Sequence, residues 1–390
     1  MARPRPGAPN RVDVRICSGL THSLTTATYD ARLARLRGRL AAPGAQALIV
    51  TNLNNIRYLT GFAGSAGALV LSLDRCVLLV DGRYEEVVRA GQTAGAIAPV
   101  DVARVRKYDT AIVDHVVAGG WTVVGFEADH TPVSQFRRWS EGLGSVELRP
   151  TSDLVESARV VKDPTEIRIL RDAASRLSDV ARRIGEWVAV DRTELEIAGD
   201  VDRALRQAGF EKPAFDTIVA SGPNTAYPHA RPTDRRVRKG DLVLLDFGGV
   251  LEGYCVDLTR MAGAGRVGAE ALSLFRAVRE AQEAAIAAVA PGAMTTEVDA
   301  AARQVLAHQQ LGSAFVHGTG HGLGLDVHEA PRVGPGDPSE AVRLESGMVV
   351  TIEPGAYVVG LGGVRLEDDV LVTTEGREVL TTAPRDLLIV

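Results

Sequence analysis

Four acidic residues in the second half of the chain stand where apolar stretches meet glycines. Asp246 and Asp257 lie in LLDFGGVLEGYCVDLTR, and Glu353 and Glu367 lie in VVTIEPG and VRLEDDV. Because the glycines between the members of each pair allow the chain to reverse, we expect two hairpins that each bring two carboxylates to one face. Buried carboxylates side by side repel unless a cation or a proton lies between them. The pattern therefore predicts a bound cation.

Histidines are the second group of candidate ligands. The segment HGTGHGLGLDVHEAP contains His317, His321 and His328 among glycines, and His229 lies in a loop rich in turn residues. Four carboxylates and at least one imidazole fit a site for two divalent ions, whose charge the carboxylates would balance. Oxygen-rich ligation favours Mn²⁺, with Co²⁺ or Zn²⁺ as alternatives, over soft metals. Such a centre activates water and stabilises an oxyanion, so the expected reaction class is metal-assisted hydrolysis.

Structural explanations also exist for single members of this set. An aspartate at the end of a strand is often a turn or cap residue. Arg365, close to the second pair of acids, could be their buried counter-charge, and His317 could hold the glycine-rich segment rather than touch a substrate. Cys255 fits packing better than ligation beside hard oxygen ligands. AGSAG at residues 63–67 resembles a nucleophile elbow, but its first position is alanine and a strand follows it, so a turn is the better interpretation.

The elements that must position these residues fall into two predicted domains. Short apolar runs alternating with helical stretches predict an α/β domain over residues 29–155. Its strands are expected at Ala47–Val50, Ala68–Leu73, Val77–Val80 and Trp121–Phe126, with a helix at Tyr84–Ala90. Residues 1–28, rich in arginine and proline, are predicted to be a disordered extension, although their composition also resembles a transit peptide.

Residues 156–390 alternate helices with hairpins, which predicts an α+β domain. Asp163 followed by Glu166, and Thr193 followed by Glu196, are helix-start signals. The helices are expected at Lys162–Trp187, Thr193–Gly209, Ala269–Ala290 and Thr295–Gln309. The predicted hairpins pair Asp241–Phe247 with Tyr254–Met261, and Met348–Glu353 with Val364–Val372.

Composition excludes several classes of protein. The chain has 390 residues, of which 45% are hydrophobic and 24% charged, as in ordinary globular domains. A net charge of −5 provides no basic field to attract nucleic acid or anionic lipid. Cys17, Cys76 and Cys255 are scattered, which argues against a disulfide framework and favours a reducing compartment, the cytoplasm. No apolar run approaches the roughly 18 residues that span a membrane.

The ordered set of acids and imidazole resembles a known family. Asp246, Asp257, His321, Glu353 and Glu367, in the segments DFGG, DLTR, HGTGHGLGLDVHE, TIEPG and GGVRLED, closely resemble the ligand pattern of the pita-bread metallopeptidases. Within that superfamily the pattern is most similar to the Xaa-Pro peptidases, prolidase and aminopeptidase P. In the first domain, NNIRYLTGFAGSAGALVL and DGRY resemble the creatinase-type amino-terminal domain. The resemblance implies a creatinase-like α/β domain followed by an α+β pita-bread catalytic domain.

The resemblance also implies roles for single residues. It assigns Asp246 to one metal ion, Asp257 and Glu367 to a bridge between both, and His321 and Glu353 to the other. Glu353 would also shuttle the proton of the attacking water.

The remaining roles concern the substrate. His229 would stabilise the tetrahedral intermediate or bind the substrate, and His317 and His328 would line the pocket around the proline and the scissile bond. Arg365 would orient the ligand network or the substrate carboxylate. Members of the family usually form homodimers in which one subunit's first domain reaches toward the other's site.

Because the first domain is compact, we expect a prolidase, which cleaves Xaa-Pro dipeptides. Aminopeptidase P, which acts on longer peptides, is the nearest alternative. A methionine aminopeptidase shares the ligand order but commonly lacks the first domain, and a creatinase-type amidinohydrolase works without metal. A non-catalytic binding protein on the same fold is the remaining alternative, although such relatives typically lose ligands.

Overall fold

The computed structural model describes residues 25–336 and 341–390. Within these ranges the chain divides into two compact units between Ala158 and Arg159, close to the boundary predicted after residue 155. Most of the predicted extension, residues 1–24 with Cys17, lies outside the described residues. No helix in the described ranges has the length and apolarity needed to cross a bilayer.

The first unit is built on a mixed sheet. Its strands are β1 (Ala47–Val50), β2 (Ala68–Ser72), β3 (Cys76–Val80), β4 (Asp101–Arg104), β5 (Val123–Glu127) and β6 (Glu147–Thr151). Its helices are α1 (Thr26–Arg39), α2 (Leu53–Thr60), α3 (Glu85–Thr93), α4 (Tyr108–Gly119), α5 (Val133–Leu143) and α6 (Glu156–Arg159), the last of which crosses the boundary between the units. The strands lie in the order β4-β3-β2-β1-β5-β6. The predicted α/β character of this unit is confirmed, and AGSAG leads into β2 as expected.

The predicted start of the folded chain was slightly too late. Helix α1 begins at Thr26, so residues 26–28 are helical rather than part of an extension. Tyr29, Leu33 and Leu36 are buried at helical spacing along α1, and this apolar stripe supports a further turn of helix on its amino-terminal side.

The second unit combines long helices with antiparallel strands. Its helices are α7 (Pro164–Ala181), α8 (Glu194–Gln207), α9 (Ala269–Ala288) and α10 (Thr295–His308), with short 3₁₀ turns at Ile184–Glu186, Gly222–Ala226 and Gly312–Ala314. Its strands are β7 (Lys212–Pro213), β8 (Ile218–Ser221), β9 (Leu242–Leu251), β10 (Tyr254–Gly263), β11 (Gly320–Gly322), β12 (Glu329–Val333), β13 (Val349–Ile352), β14 (Gly355–Val358), β15 (Gly362–Arg365), β16 (Asp368–Val372), β17 (Arg377–Val379) and β18 (Leu388–Ile389). One sheet has the order β18-β10-β9-β7 with β8 also paired to β9, another has the order β12-β11-β13-β16-β17, and β14 pairs with β15.

Both predicted helix starts are confirmed. Asp163 caps α7, accepting from the backbone N–H groups of Thr165 and Glu166, and the Glu166 side chain returns to the backbone N–H of Asp163. Thr193 and Glu196 make the same reciprocal pair at the start of α8. These capping boxes satisfy amide groups that have no partner inside the helix.

Two strand predictions were wrong in detail. Strand β9 does not end near Asp246 but continues through Gly248 and Gly249 to Leu251, and the chain reverses at Glu252–Gly253. The predicted strand Val364–Val372 is two strands: β15 pairs with β14, whereas β16 pairs with β13. An apolar run cannot show where a strand changes its partner, because the change depends on residues distant in sequence.

Candidate metal centre

The first pair of acids lies on the β9–β10 hairpin. Asp246 is opposite Thr259, and Asp257 is opposite Gly248. Residues two apart on a strand point to one face, and so do residues opposite each other on paired strands. The two carboxylates are therefore diagonal neighbours on one face, and both are buried. Gly248 is required beneath them, because a Cβ there would lie 2.3 Å from the carbonyl oxygen of Val256.

The second pair of acids lies in the connections between strands rather than on strands. Glu353 follows β13, and its backbone N–H donates to the carbonyl oxygen of Thr319 at 2.7 Å. Glu367 lies between β15 and β16, and its side chain accepts from the Thr259 hydroxyl at 2.7 Å. Arg260, also buried, donates to the Glu367 carbonyl oxygen at 2.7 Å. Contacts with Thr259 and Arg260 thus hold Glu367 against the β9–β10 hairpin, and a backbone contact with Thr319 fixes the position of Glu353.

His321 brings an imidazole to the same place from β11. Its Nδ1 lies 3.0 Å from the carbonyl oxygen of Gly322. Because a carbonyl oxygen only accepts, Nδ1 carries the proton and the lone pair is on Nε2. That nitrogen lies 3.5 Å from Glu353 Oε1. Among the described residues, Asp257, His321 and Glu367 each offer one ligand atom within 4.8 Å of the other two.

The electrostatics of this cluster favour a bound cation. Burial, reinforced by the charge of Asp246, raises the pKa of Asp257 well above its usual value. Burial and the charge of Asp257 do the same to the pKa of Glu367. Burial raises the pKa of Glu353 to about 8, against the opposing effect of Arg365 and with a further increase from Asp246.

Two buried carboxylate oxygens and one imidazole also favour a bound cation. Oδ1 of Asp246 and Oδ1 of Asp257 have no hydrogen-bond partner among the residues described, and burial lowers the pKa of His321 to about 4, which keeps it neutral at pH 7. Unpaired buried carboxylate oxygens beside a neutral imidazole are a donor set that suits divalent ions such as Mn²⁺, Co²⁺ or Zn²⁺. The residues present therefore fit a divalent metal site.

Arg365 links the acid cluster to Tyr357. Its Nη2 pairs with Asp246 Oδ2, and its Nη1 donates to the Tyr357 hydroxyl at 2.7 Å. The Tyr357 hydroxyl in turn donates to Nε2 of His317 at 2.9 Å, because the Nδ1–H of His317 is used on the carbonyl oxygen of Gly318. His317 is thus tied both to the glycine-rich segment and, through Tyr357, to Arg365. The counter-charge role and the substrate role of Arg365 both remain compatible with this geometry.

The two remaining histidines line the cavity without joining the acid cluster. The ring of His328 packs edge-to-face against His321, with centroids 4.3 Å apart. His229 is exposed on the loop between β8 and β9. All predicted site residues border one cavity of about 770 Å³, namely His229, Asp246, Asp257, His317, His321, His328, Glu353, Arg365 and Glu367. The convergence expected from the sequence is therefore observed, whereas the role of each residue stays a prediction.

Sequence reasoning missed several residues of the cavity wall. Phe215, Asp216, Arg231 and Arg332 also border it. Arg332 lies opposite His321 in the β11–β12 register, four residues after His328, so a search of the histidine segment for a cation could have found it. Asp216 carried no such signal, because nothing local to that residue connects it to the acids.

The fold and the cavity together define a class of protein, a metal-dependent hydrolase. Residues 168–374 match the metallopeptidase family M24, and residues 32–161 match the creatinase/prolidase N-terminal domain. The chain belongs to metallopeptidase family M24, whose members use divalent metal ions. The expected architecture, a creatinase-like domain followed by a pita-bread catalytic domain, is confirmed.

Individual relatives cover nearly the whole chain. The Xaa-Pro dipeptidase of Pyrococcus furiosus is 32% identical over 86% of this chain and 92% of its own length. The structure of an Xaa-Pro dipeptidase from Bacillus anthracis has a TM-score of 0.87 and 34% identity, and the match covers 93% of this chain and 100% of that one. The X-Pro aminopeptidase from Thermotoga maritima has a TM-score of 0.81 and 32% identity, over 90% of this chain and 100% of that one.

Proposed function

We propose that this chain is an Xaa-Pro dipeptidase that works with two divalent metal ions, most simply Mn²⁺. The observation that carries the proposal is the convergence of four carboxylates and one imidazole in a single cavity. The similarity to proteins named Xaa-Pro dipeptidase, from Pyrococcus furiosus and Bacillus anthracis, supports the choice of substrate.

Five side chains would hold the ions: Asp246, Asp257, His321, Glu353 and Glu367. Lewis acidity, which makes water nucleophilic near neutral pH and stabilises negative charge on a carbonyl oxygen, is the chemistry that divalent ions supply in such a site. Asp257 and Glu367 would be shared between the two ions, as the family resemblance implies, and with His321 each offers one ligand atom within 4.8 Å of the other two.

Proton transfer is assigned to Glu353. Its Oε1 lies 3.5 Å from Nε2 of His321 on the wall of the same cavity, which places a carboxyl group within reach of a water molecule held there. We propose that Glu353 takes a proton from the attacking water and delivers it to the proline nitrogen as the peptide bond breaks. His229 and His328, on the cavity wall, would donate hydrogen bonds to the carbonyl oxygen as it becomes negative.

Arg332 carries our preference for a dipeptide over a longer peptide. In an Xaa-Pro dipeptide the carboxylate belongs to the proline itself, so it lies close to the scissile bond. Arg332 borders the cavity beside His321 and makes no ion pair with any described residue, so its guanidinium is available to that carboxylate. Aminopeptidase P activity is the second candidate, and the similarity to the Thermotoga maritima X-Pro aminopeptidase favours it.

Kinetics with graded substrates test the proposal. Chelation should abolish hydrolysis of an Xaa-Pro dipeptide, and Mn²⁺ should restore it. Asp257→Ala should remove nearly all turnover and metal content, whereas Asp179→Ala, at an exposed position in the same unit, should retain both. Hydrolysis that ignores chelation would refute the proposal.

Substrate length is tested on the same panel. Arg332→Met should raise KM for the dipeptide by about tenfold or more, the expected loss of one charge-assisted pair, and leave an Xaa-Pro-Xaa amide unchanged. Faster hydrolysis of the tripeptide than of the dipeptide by the unmodified enzyme would favour aminopeptidase P instead.

Assembly and location are further parts of the proposal. We propose a homodimer, because the family resemblance implies one, and light scattering after size-exclusion chromatography would measure it. A cytoplasmic location is proposed from the three scattered cysteines, and cell fractionation would test it.

A further inference from the structure

The loop that carries His229 is closed at its base by one buried carboxylate. The loop runs from Ser221, at the end of β8, to Thr233, and the side chain of Glu194 hydrogen-bonds to both of these residues. Glu194 Oε1 accepts from the Ser221 backbone N–H and hydroxyl, both at 2.7 Å. Its Oε2 accepts from the Thr233 backbone N–H at 3.0 Å and hydroxyl at 2.6 Å. The Asn224 side-chain amide donates to both oxygens, at 3.0 and 3.2 Å.

The chemistry of these contacts requires a carboxylate. All five groups around Glu194 donate, and an ionised carboxylate is the side chain that only accepts. Glu194 is the first residue of α8 and is completely buried, and the amino terminus of a helix favours negative charge. An amide at this position would direct N–H groups toward other donors, so even a side chain of the same shape would disturb the base of the loop.

The far side of the loop reaches the metal-centre residues. The Thr225 hydroxyl accepts from the backbone N–H of Gly363 at 2.8 Å. The carbonyl oxygen of Pro228 accepts from Arg365 at 3.2 Å, and Arg365 pairs with Asp246. The loop is thus held at one end by Glu194 and at the other by the arginine beside the acids.

His229 depends on that backbone for its place. It follows Pro228 directly, is exposed, and makes no hydrogen bond to any residue in the described part of the chain. No hydrogen bond from a described residue therefore fixes the imidazole in the cavity wall. What fixes it is the course of residues 221–233, whose base Glu194 closes.

We propose that Glu194 is a positioning residue, which acts on peptide hydrolysis by holding the 221–233 loop so that His229 faces the cavity. This inference rests on the proposed function, in which His229 stabilises the developing charge. Glu194 itself does not border the cavity that the site residues line. In this proposal its effect on the reaction is exerted through the loop, chiefly through the position of His229.

A double-mutant cycle tests the inference. Glu194→Gln should lower kcat/KM for an Xaa-Pro dipeptide by about tenfold to a hundredfold, with bound metal unchanged. In a His229→Ala background the same substitution should change kcat/KM by less than about twofold, because coupled residues are non-additive. Glu194→Asp, which keeps the charge but is shorter, should fall between the wild type and Glu194→Gln. Equal losses in both backgrounds would overturn the inference.

Hydrogen exchange provides a readout that does not need activity. Amides in residues 222–232 should exchange at least about tenfold faster in Glu194→Gln, while those of β9 and β10 stay protected. Glu166→Gln is the matched control, since Glu166 is also a buried glutamate in the first turn of a helix but contacts Tyr254 and Asp163 instead of the loop. It should leave both the loop and kcat/KM unchanged.

Unchanged loop exchange in Glu194→Gln would overturn the inference even if the enzyme is less active. A wild-type enzyme that does not cleave Xaa-Pro bonds would instead refute the proposed function, and the exchange result would still report whether Glu194 holds the loop.

Discussion

Replacing Glu353 with glutamine should stabilise the metal-free protein and abolish hydrolysis. The carboxyl group of Glu353 has an ordinary pKa of 4.5, and burial raises it to about 8 in the folded protein. At pH 7 the unfolded chain therefore holds this group ionised, whereas the folded chain must bind a proton there or bury the charge. Glutamine carries no such penalty, and it keeps nearly the same shape.

The size and the sign of the effect follow from linkage. An acid whose pKa is raised by folding makes a contribution to the free energy of unfolding that is fully present below its unfolded pKa, here 4.5. That contribution is lost as the pH rises toward the folded pKa of about 8. At 1.36 kcal/mol per pKa unit, the loss is about 1 kcal/mol at pH 5 and about 3 kcal/mol at pH 7. The variant should exceed the wild type in free energy of unfolding by these amounts.

Two histidines have the opposite pH dependence but do not disturb the comparison. Burial lowers the pKa values of His317 and His321 from 6.5 to about 4. Their contribution is present above pH 6.5 and is lost as the pH falls toward 4. With pKa values of about 4, both imidazoles are neutral in the folded state over most of the range from pH 5 to pH 8, so there they contribute nearly equally to Glu353→Gln and to the wild type.

Urea unfolding between pH 5 and pH 8, with a chelator present, measures the difference. A parallel experiment with Mn²⁺ in place of the chelator identifies the unfolding transition of the second unit, which is the transition that Mn²⁺ shifts in the wild type. Mn²⁺ should stabilise the wild type more than Glu353→Gln. Glu375→Gln, at an exposed position, should leave the free energy of unfolding unchanged at every pH. A gap between Glu353→Gln and wild type that is the same at pH 5 and pH 7 would refute the reasoning, because it would mean that folding does not raise this pKa.

Three further predictions concern packing and reactivity. Arg260→Met should lower the free energy of unfolding by about 3 kcal/mol in urea, because it leaves a fully buried carboxylate without one of its cationic partners. Burial raises the pKa values of Cys76 and Cys255 to about 12. In a variant whose third cysteine is replaced by serine, neither thiol should therefore react with a disulfide reagent at pH 8 until denaturant is added. Rapid labelling of the native protein would contradict this prediction. Gly199→Ala, inside a helix and with open space around the added methyl group, should raise the unfolding midpoint by the equivalent of about 0.5–1 kcal/mol. Gly320→Ala would place its methyl group 1.9 Å from a backbone oxygen, so it should abolish both folding stability and activity. Equal behaviour of the two variants would contradict this prediction.

Features with a local cause were predictable from the sequence. Asp163 and Thr193 begin helices because a capping side chain and its glutamate lie three residues apart, within one turn. The hairpin that carries Asp246 and Asp257 was predictable for a similar reason, since glycines and two apolar runs lie within one short segment. The position of the turn was predicted wrongly. Gly248 and Gly249 suggested a chain reversal, whereas they lie within β9, where close packing requires residues without a side chain.

Features caused by distant partners were not predictable. The strand that was expected to run through Glu367 is broken at that residue, because β15 and β16 pair with different strands. That break is what turns the Glu367 side chain toward Thr259 and the acid cluster. The prediction therefore had the correct residue in the cavity with the wrong local structure.

The buried charges that support the site show why ligand residues are easier to find than the residues that hold them. A ligand such as Glu353 is conspicuous because an acid directly after an apolar strand would be costly without a partner. Glu194 is equally buried, but it begins an amphipathic helix where acids are common, and its partners at Ser221 and Thr233 lie well beyond that helix. Arg260 is similar: five hydrogen bonds hold its guanidinium, all but one to residues more than a hundred positions away. A sequence therefore indicates that a charged residue is buried only when the segment around that residue is apolar. The residues that position a metal centre, such as Glu194 and Arg260, can be identified only from the folded structure.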